Sequence, residues 1–167
     1  MVNGINVYIE ISKNSNIKYE YNKELQALVC DRILHTPFKY DFNYGFIPDT
    51  LSDDGDTLDA IVLMEESLIP GSYIKCKIIG CLETVDEKGS DPKLILVPMD
   101  DVDPLSKNIN DITDIPTHTL TKIKYFYKHY KDLENKKVVV GNFLNKEMSN
   151  IIYEHCINEY NQQNGRL

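Results

Sequence analysis

Residues 51–62 read LSDDGDTLDAIV, which places Asp53, Asp54, Asp56 and Asp59 within seven positions and an apolar run, residues 60–64, directly behind them. Carboxylates this close repel one another unless a cation neutralises them. Gly55 separates Asp54 from Asp56, and without a side chain it lets the backbone bend so that both carboxylates face one point. Asp59 follows three residues later, at the mouth of a predicted strand. Donors that are all oxygen suit Mg²⁺, Mn²⁺ or Ca²⁺. An EF-hand does not fit, because no register puts Gly at loop position six and Glu at twelve. An open Mg²⁺ site with few carboxylates and several waters is the better match, although a solvated Asp-Gly turn uses the same residue types.

A second acidic group, Asp86, Glu87 and Asp91, surrounds Gly89 between two predicted strands. Two such groups on one small sheet suit a shared multi-metal site, in which paired cations clamp the attacking and leaving oxygens of a phosphoryl transfer. Lys18, Arg32, Lys93 and Lys131 lie in strands or at element ends near acidic or aromatic residues, and together they match a small polyanion. Tyr40, Tyr44 and Tyr130 add hydroxyl donors. Taken singly, each cation also reads as a surface residue and Tyr130 as a core residue. The residues alone reach as far as metal-dependent phosphoryl chemistry.

The elements that must hold these groups follow from periodicity. INVYIEIS alternates at period two, as does IKYEYNK, with Ile17, Tyr19 and Tyr21 on one face and Lys18 and Glu20 on the other. ALVCDRIL, AIVLM, SYIKCKIIGCLETV, KLILVPM and KKVVVGNF also read as strands. The aromatic segment TPFKYDFNYGFIPDTL, punctuated by Pro37, Gly45 and Pro48, predicts loop with short extended pieces. The period then changes. Residues 115–134 put Leu120, Ile123, Phe126 or Tyr127, Tyr130 and Leu133 at helical spacing behind Pro116. Asn145 is placed to cap a last helix carrying Met148, Ile152, Cys156 and Tyr160, and the polar tail NQQNGRL is expected to fray. Short strands followed by two helices predict an α+β chain, mainly β, with a small closed barrel as its core.

Length and composition set the outer bounds. The 167 residues, 42% of them hydrophobic, suit one domain over 1–167. A net charge of −8 argues against a general nucleic-acid binder, while leaving room for an anionic substrate if bound cations invert the local sign. A barrel-type module stacking bases on Tyr40, Phe42, Tyr44 and Phe46 is the main alternative, and a Ca²⁺-stabilised structural domain a third. Cys30, Cys76, Cys81 and Cys156 have neither zinc-like nor C-x-x-C spacing and read as reduced, mostly buried thiols. No apolar run approaches a membrane span, no signal-peptide core opens the chain, and a cytoplasmic location is the expectation.

DGDTLDA, residues 54–60, resembles the Asp-x-Asp-x-x-Asp signature of the family I soluble inorganic pyrophosphatases. YIEIS, IKYE, DR, FNYGFIPDTLSDDGD, PGS, DEKGSDPK and HYKDLE occur in that family's order across roughly residues 7–135. The resemblance implies a five-stranded OB-like barrel with flanking helices, Mg²⁺ dependence with Mn²⁺ able to substitute and Ca²⁺ inhibiting, and hydrolysis of pyrophosphate to two phosphates. It implies that Asp54, Asp59 and Asp91 ligate metal, with Asp86 helping to hold a cation that arrives with substrate. Asp56 would be the general base on the attacking water, and Glu10 and Glu20 would order waters. Lys18, Arg32, Tyr44, Tyr130 and Lys131 would bind the phosphates, supported by Tyr40 and Lys93. Bacterial members of this length form homohexamers, in which a histidine pair contributes to subunit contacts; here His129 matches one position and Tyr125 stands at the other. Thr57 and Asp41 replace prolines common in the family.

Overall fold

The computed structural model describes residues 4–165. In chain order its strands are β1 (Ile5–Ile11), β2 (Ile17–Asn22), β3 (Ala27–Ile33), β4 (Asn43–Ile47), β5 (Leu58–Val62), β6 (Tyr73–Asp86), β7 (Gly89–Ser90), β8 (Lys93–Pro98) and β9 (Val139–Leu144). Helix α1 (Thr117–His129) precedes β9, and α2 (Lys146–Gln163) follows it. Strands β1, β4, β5, β8 and β6 pair in that order, and β1 pairs again with β6, so five strands close into a ring. This is the small closed barrel that the sequence predicts. β5 and β8 are parallel, and the other ring pairs antiparallel.

Closure buries both faces of the ring. One face packs Val7, Ile9, Leu58, Ala60, Ile74, Cys76, Leu94 and Leu96 with Cys156 from α2. The other packs Ile11, Tyr44, Ile61, Ile79, Ile95 and Val97 with Ile123, Phe126 and Tyr127 from α1. All six residues of β8 are buried, which is why KLILVP reads as a continuous run rather than an alternating one. Cys30 is exposed, and the other three cysteines are buried.

Several expectations change. β4 is a full core strand inside the segment expected to be loop with short extended pieces. Gly45 made that stretch look like a turn, yet it serves a close crossing: a Cβ there would lie 1.7 Å from the Tyr8 carbonyl oxygen. The β2–β3 pair forms its own two-stranded ribbon, and a register shift between Lys18 and Tyr19 breaks the expected alternation of faces. α1 ends at His129, and residues 132–134 form a separate 3-10 turn, closed by Asn135 in the left-handed region. Leu133 is consequently exposed instead of continuing the helix face. Asn145 does cap α2, accepting from the Met148 N–H, but Met148 is exposed and Ser149 takes the buried place. α2 also runs through Gln163 into the tail expected to fray; Arg166 and Leu167 lie outside the described residues.

Candidate active site

One open cleft of about 460 Å³ collects side chains from almost every part of the fold. β1 contributes Glu10, the β2–β3 ribbon contributes Lys18, Glu20 and Arg32, and β4 contributes Tyr44. The loop before β5 brings Asp54 and Asp56, and β5 itself brings Asp59. Asp86 at the end of β6, Asp91 and Lys93 come from the hairpin and β8, and Tyr130 and Lys131 follow α1. Asp53 lines a different cleft, with its Oδ1 3.3 Å from His155 Nε2, and among the residues singled out for the site Tyr40 is the other exception. It is 1% exposed and lies behind Tyr44, ring centroids 5.6 Å apart. Tyr40, Phe42 and Tyr44 are all buried, so they offer no platform for stacking bases. A second cleft, about 360 Å³ and mostly apolar, lies beside α2 and gathers no comparable set of charges.

The cleft centres on Lys93. Its Nζ lies 2.6 Å from Asp59 Oδ2, 2.8 Å from Asp91 Oδ2 and 3.2 Å from the Tyr44 hydroxyl. Burial disfavours the ammonium charge, but the two carboxylates more than offset this and hold Lys93 protonated. Burial pushes Asp91 up to about 7, reinforced by Asp59 and opposed by Lys93. Glu10, 8% exposed, is pushed up to about 7, again chiefly by burial, although its carboxylate accepts from the Tyr21 N–H at 2.8 Å. Burial also raises Asp54, whose Oδ1 accepts from the Asp56 N–H at 3.0 Å. Asp56 itself is exposed, with Lys88 Nζ 3.4 Å from its Oδ2. Elsewhere in the cleft, Lys18 pairs with Glu20, and burial lowers Lys131.

Among the described residues no three acidic, His or Cys side chains stand close enough to enclose a metal ion as placed. The donor set nevertheless fits one. Asp59 and Asp91 already converge on a single positive centre, the Lys93 ammonium, and both are oxygen donors of the kind hard divalent cations take. Asp54 shares the same cleft, and its carboxylate is disfavoured as a free anion by burial. Asp54, Asp59 and Asp91 are the residues that would hold a divalent cation.

The inorganic pyrophosphatase family profile matches residues 7–161 of this chain. The chain belongs to the inorganic pyrophosphatase family. The Helicobacter pylori inorganic pyrophosphatase is 49% identical over 155 residues, covering 92% of this chain and 90% of that protein. The Nanoarchaeum equitans inorganic pyrophosphatase is 49% identical over 157 residues, 93% of this chain and 97% of that one. A solved structure of the Helicobacter pylori pyrophosphatase superposes with a TM-score of 0.92 at 48% identity, over 94% of this chain and 93% of that chain. The Thermus thermophilus structure gives 0.89 at 36% identity, over 93% and 90%. This pyrophosphatase-family chain is thus an enzyme that hydrolyses pyrophosphate, and membership implies dependence on a divalent metal.

Five charged residues at the cleft escaped the sequence reading. Lys23, Asp31, Lys88 and Lys136 line it, and Glu134 stands behind it against Arg32. DR and HYKDLE contain Asp31 and Glu134, but adjacency to a named cation was the only signal available. Lys88 sits in the acidic hairpin, where it reads as a solvated turn residue.

Proposed function

We propose that the chain hydrolyses pyrophosphate with Mg²⁺ as its divalent cation, held by Asp54, Asp59 and Asp91, with Asp86 helping to hold a further cation that arrives with substrate. The observation that carries this reading is the convergence of Asp59 and Asp91 on the Lys93 ammonium, in a cleft that also contains Asp54, Asp56 and the basic residues. When bound, such cations lower the pKa of water and neutralise charge on phosphate oxygens.

The remaining work belongs to the protein's own residues. Asp56 is the exposed carboxylate that this loop brings into the cleft, with no buried partner to satisfy, and it takes the proton from the attacking water. As the water oxygen bonds to one phosphorus, the bridging P–O bond breaks and the departing phosphate leaves with the electron pair. Lys18, Arg32, Lys131, Tyr44 and Tyr130 face that phosphate from several elements and stabilise charge spreading over its outer oxygens. Glu10 in the cleft wall and Glu20 at its exposed edge order water. Lys93 holds the metal-binding carboxylates together, and Tyr40 supports the ring of Tyr44 by packing.

The decisive experiment mixes purified protein with pyrophosphate and measures released phosphate. Turnover with Mg²⁺, partial replacement by Mn²⁺, and inhibition by Ca²⁺ are the expected results. Turnover with Ca²⁺ as sole cation would overturn the coordination argument, since its looser and larger shell misplaces the nucleophile. The reading also includes a single domain over the whole chain, a homohexameric assembly and a cytoplasmic enzyme. Four unpaired cysteines support a reducing compartment.

A further inference from the structure

Arg32 is gripped by two carboxylates, Asp31 in the cleft lining and Glu134 outside it. Its Nη1 donates to Asp31 Oδ2 at 2.6 Å, and its Nε lies 2.7 Å from Glu134 Oε1. Neither contact uses Nη2. Glu134 does not line the cleft; its side chain is only 7% exposed, at the end of the 3-10 turn that follows Lys131. Although Nε and Oε1 are close enough for an ion pair, the Nε–H is not directed at that oxygen, and both Nε and Glu134 Oε2 are buried without hydrogen bonds. The contact is therefore one of charge more than of direction.

Such a pair is a poor device for stability alone. Burying a carboxylate with one oxygen unsatisfied carries a desolvation cost that an apolar side chain would avoid. What it does achieve is connection. Arg32 belongs to the β2–β3 ribbon, which shares no sheet with the ring, whereas Glu134 is fixed three residues beyond Lys131, its N–H bonded to the Lys131 carbonyl at 2.9 Å. The pair therefore ties the ribbon that carries Lys18 and Arg32 to the segment that carries Tyr130 and Lys131.

We infer that Glu134 is a positioning residue: it holds the Arg32 guanidinium by its Nε edge so that the opposite edge meets a phosphate oxygen of the substrate. This inference rests on the proposed phosphate contact of Arg32. Glu134 touches no reacting atom, and its removal acts on substrate binding through Arg32.

The test is a cycle of Glu134→Gln, Arg32→Gln and the double variant, with kcat and KM for pyrophosphate measured separately and thermal midpoints recorded. Glu134→Gln is expected to raise KM about tenfold while kcat stays within about threefold, as for loss of a charge that orients a binding group. In the Arg32→Gln background the same change is expected to add nothing, since its target is gone. Glu134→Asp, which keeps the charge but withdraws it by one methylene, is expected to fall between, and it carries the test if Glu134→Gln folds poorly. An unchanged KM for both Glu134 variants, or an equal KM rise in both Arg32 backgrounds, would overturn the positioning role. An unchanged KM for Arg32→Gln would overturn the phosphate contact itself, a separate failure.

Discussion

Glu10 sits in the wall of the ring with its carboxylate turned toward the cleft, and burial keeps it protonated up to about pH 7. In the unfolded chain it ionises near the ordinary value of about 4.3. Between those values the folded state binds more protons than the unfolded state, so this group's contribution falls as pH rises through the window. In metal-free protein, Glu10→Gln should unfold with the same free energy as the parent near pH 4 and with about 2–3 kcal/mol more at pH 8. Urea titrations at the two pH values check this, and parallel curves would refute it. Asp56→Asn keeps the size and exposure of the side chain but cannot take a proton. Its kcat should fall on the order of a hundredfold or more while pyrophosphate still binds; full activity would remove Asp56 from the mechanism. Among the thiols, burial pushes Cys76 and Cys81 up to about 12, whereas Cys30 is exposed. Native protein at pH 8 should take up a thiol reagent rapidly at Cys30 alone, read by mass spectrometry. Residue types at short spacing made the aspartates legible in the sequence. What was not legible was which partner each would meet. Lys93 among two carboxylates, Glu134 behind Arg32 and Tyr40 recessed behind Tyr44 all depend on segments far apart in the chain.

At the scale of elements, the strands with uninterrupted alternation or uninterrupted apolar runs were readable because burial imposes those patterns directly. β4 was not, because its demands are local and unusual. It crosses β1 so closely that only glycine fits opposite Tyr8 and Ile9, and glycine otherwise signals a turn. Gly45→Ala should therefore cost at least about 3 kcal/mol, since the obstruction is backbone that cannot rotate away. A denaturation midpoint close to the parent's would mean that β1 and β4 can separate without loss. The end of α1 was misread for a related reason. Helical spacing persists through Leu133, but Tyr130 and Lys131 are needed at the cleft, and the chain leaves the helix at His129 to deliver them. Sheet order, including the parallel β5–β8 pair, leaves no imprint on local periodicity.

The whole molecule carries a net charge of −8, and its cleft concentrates carboxylates that repel in the absence of a counter-charge. A cation that binds only the folded state stabilises it by mass action, about 2.7 kcal/mol at a hundredfold excess over its Kd. Mg²⁺ should accordingly raise the thermal midpoint of chelator-treated protein by about 5–10 °C at fixed protein concentration. Lys93→Met should diminish the midpoint measured without metal, because Asp59 and Asp91 then face each other alone.

The order in which the ring is assembled has a consequence for synthesis. β1, β4, β5 and β6 all precede β8, yet β8 is the strand that joins β5 to β6. A ribosome that has released the chain only as far as Asp91 therefore presents an open sheet with two unpaired, largely apolar margins. Until the next few residues emerge, that nascent intermediate is a natural client for holdase chaperones, and stalled or truncated translation products ending there should be the most prone to clump.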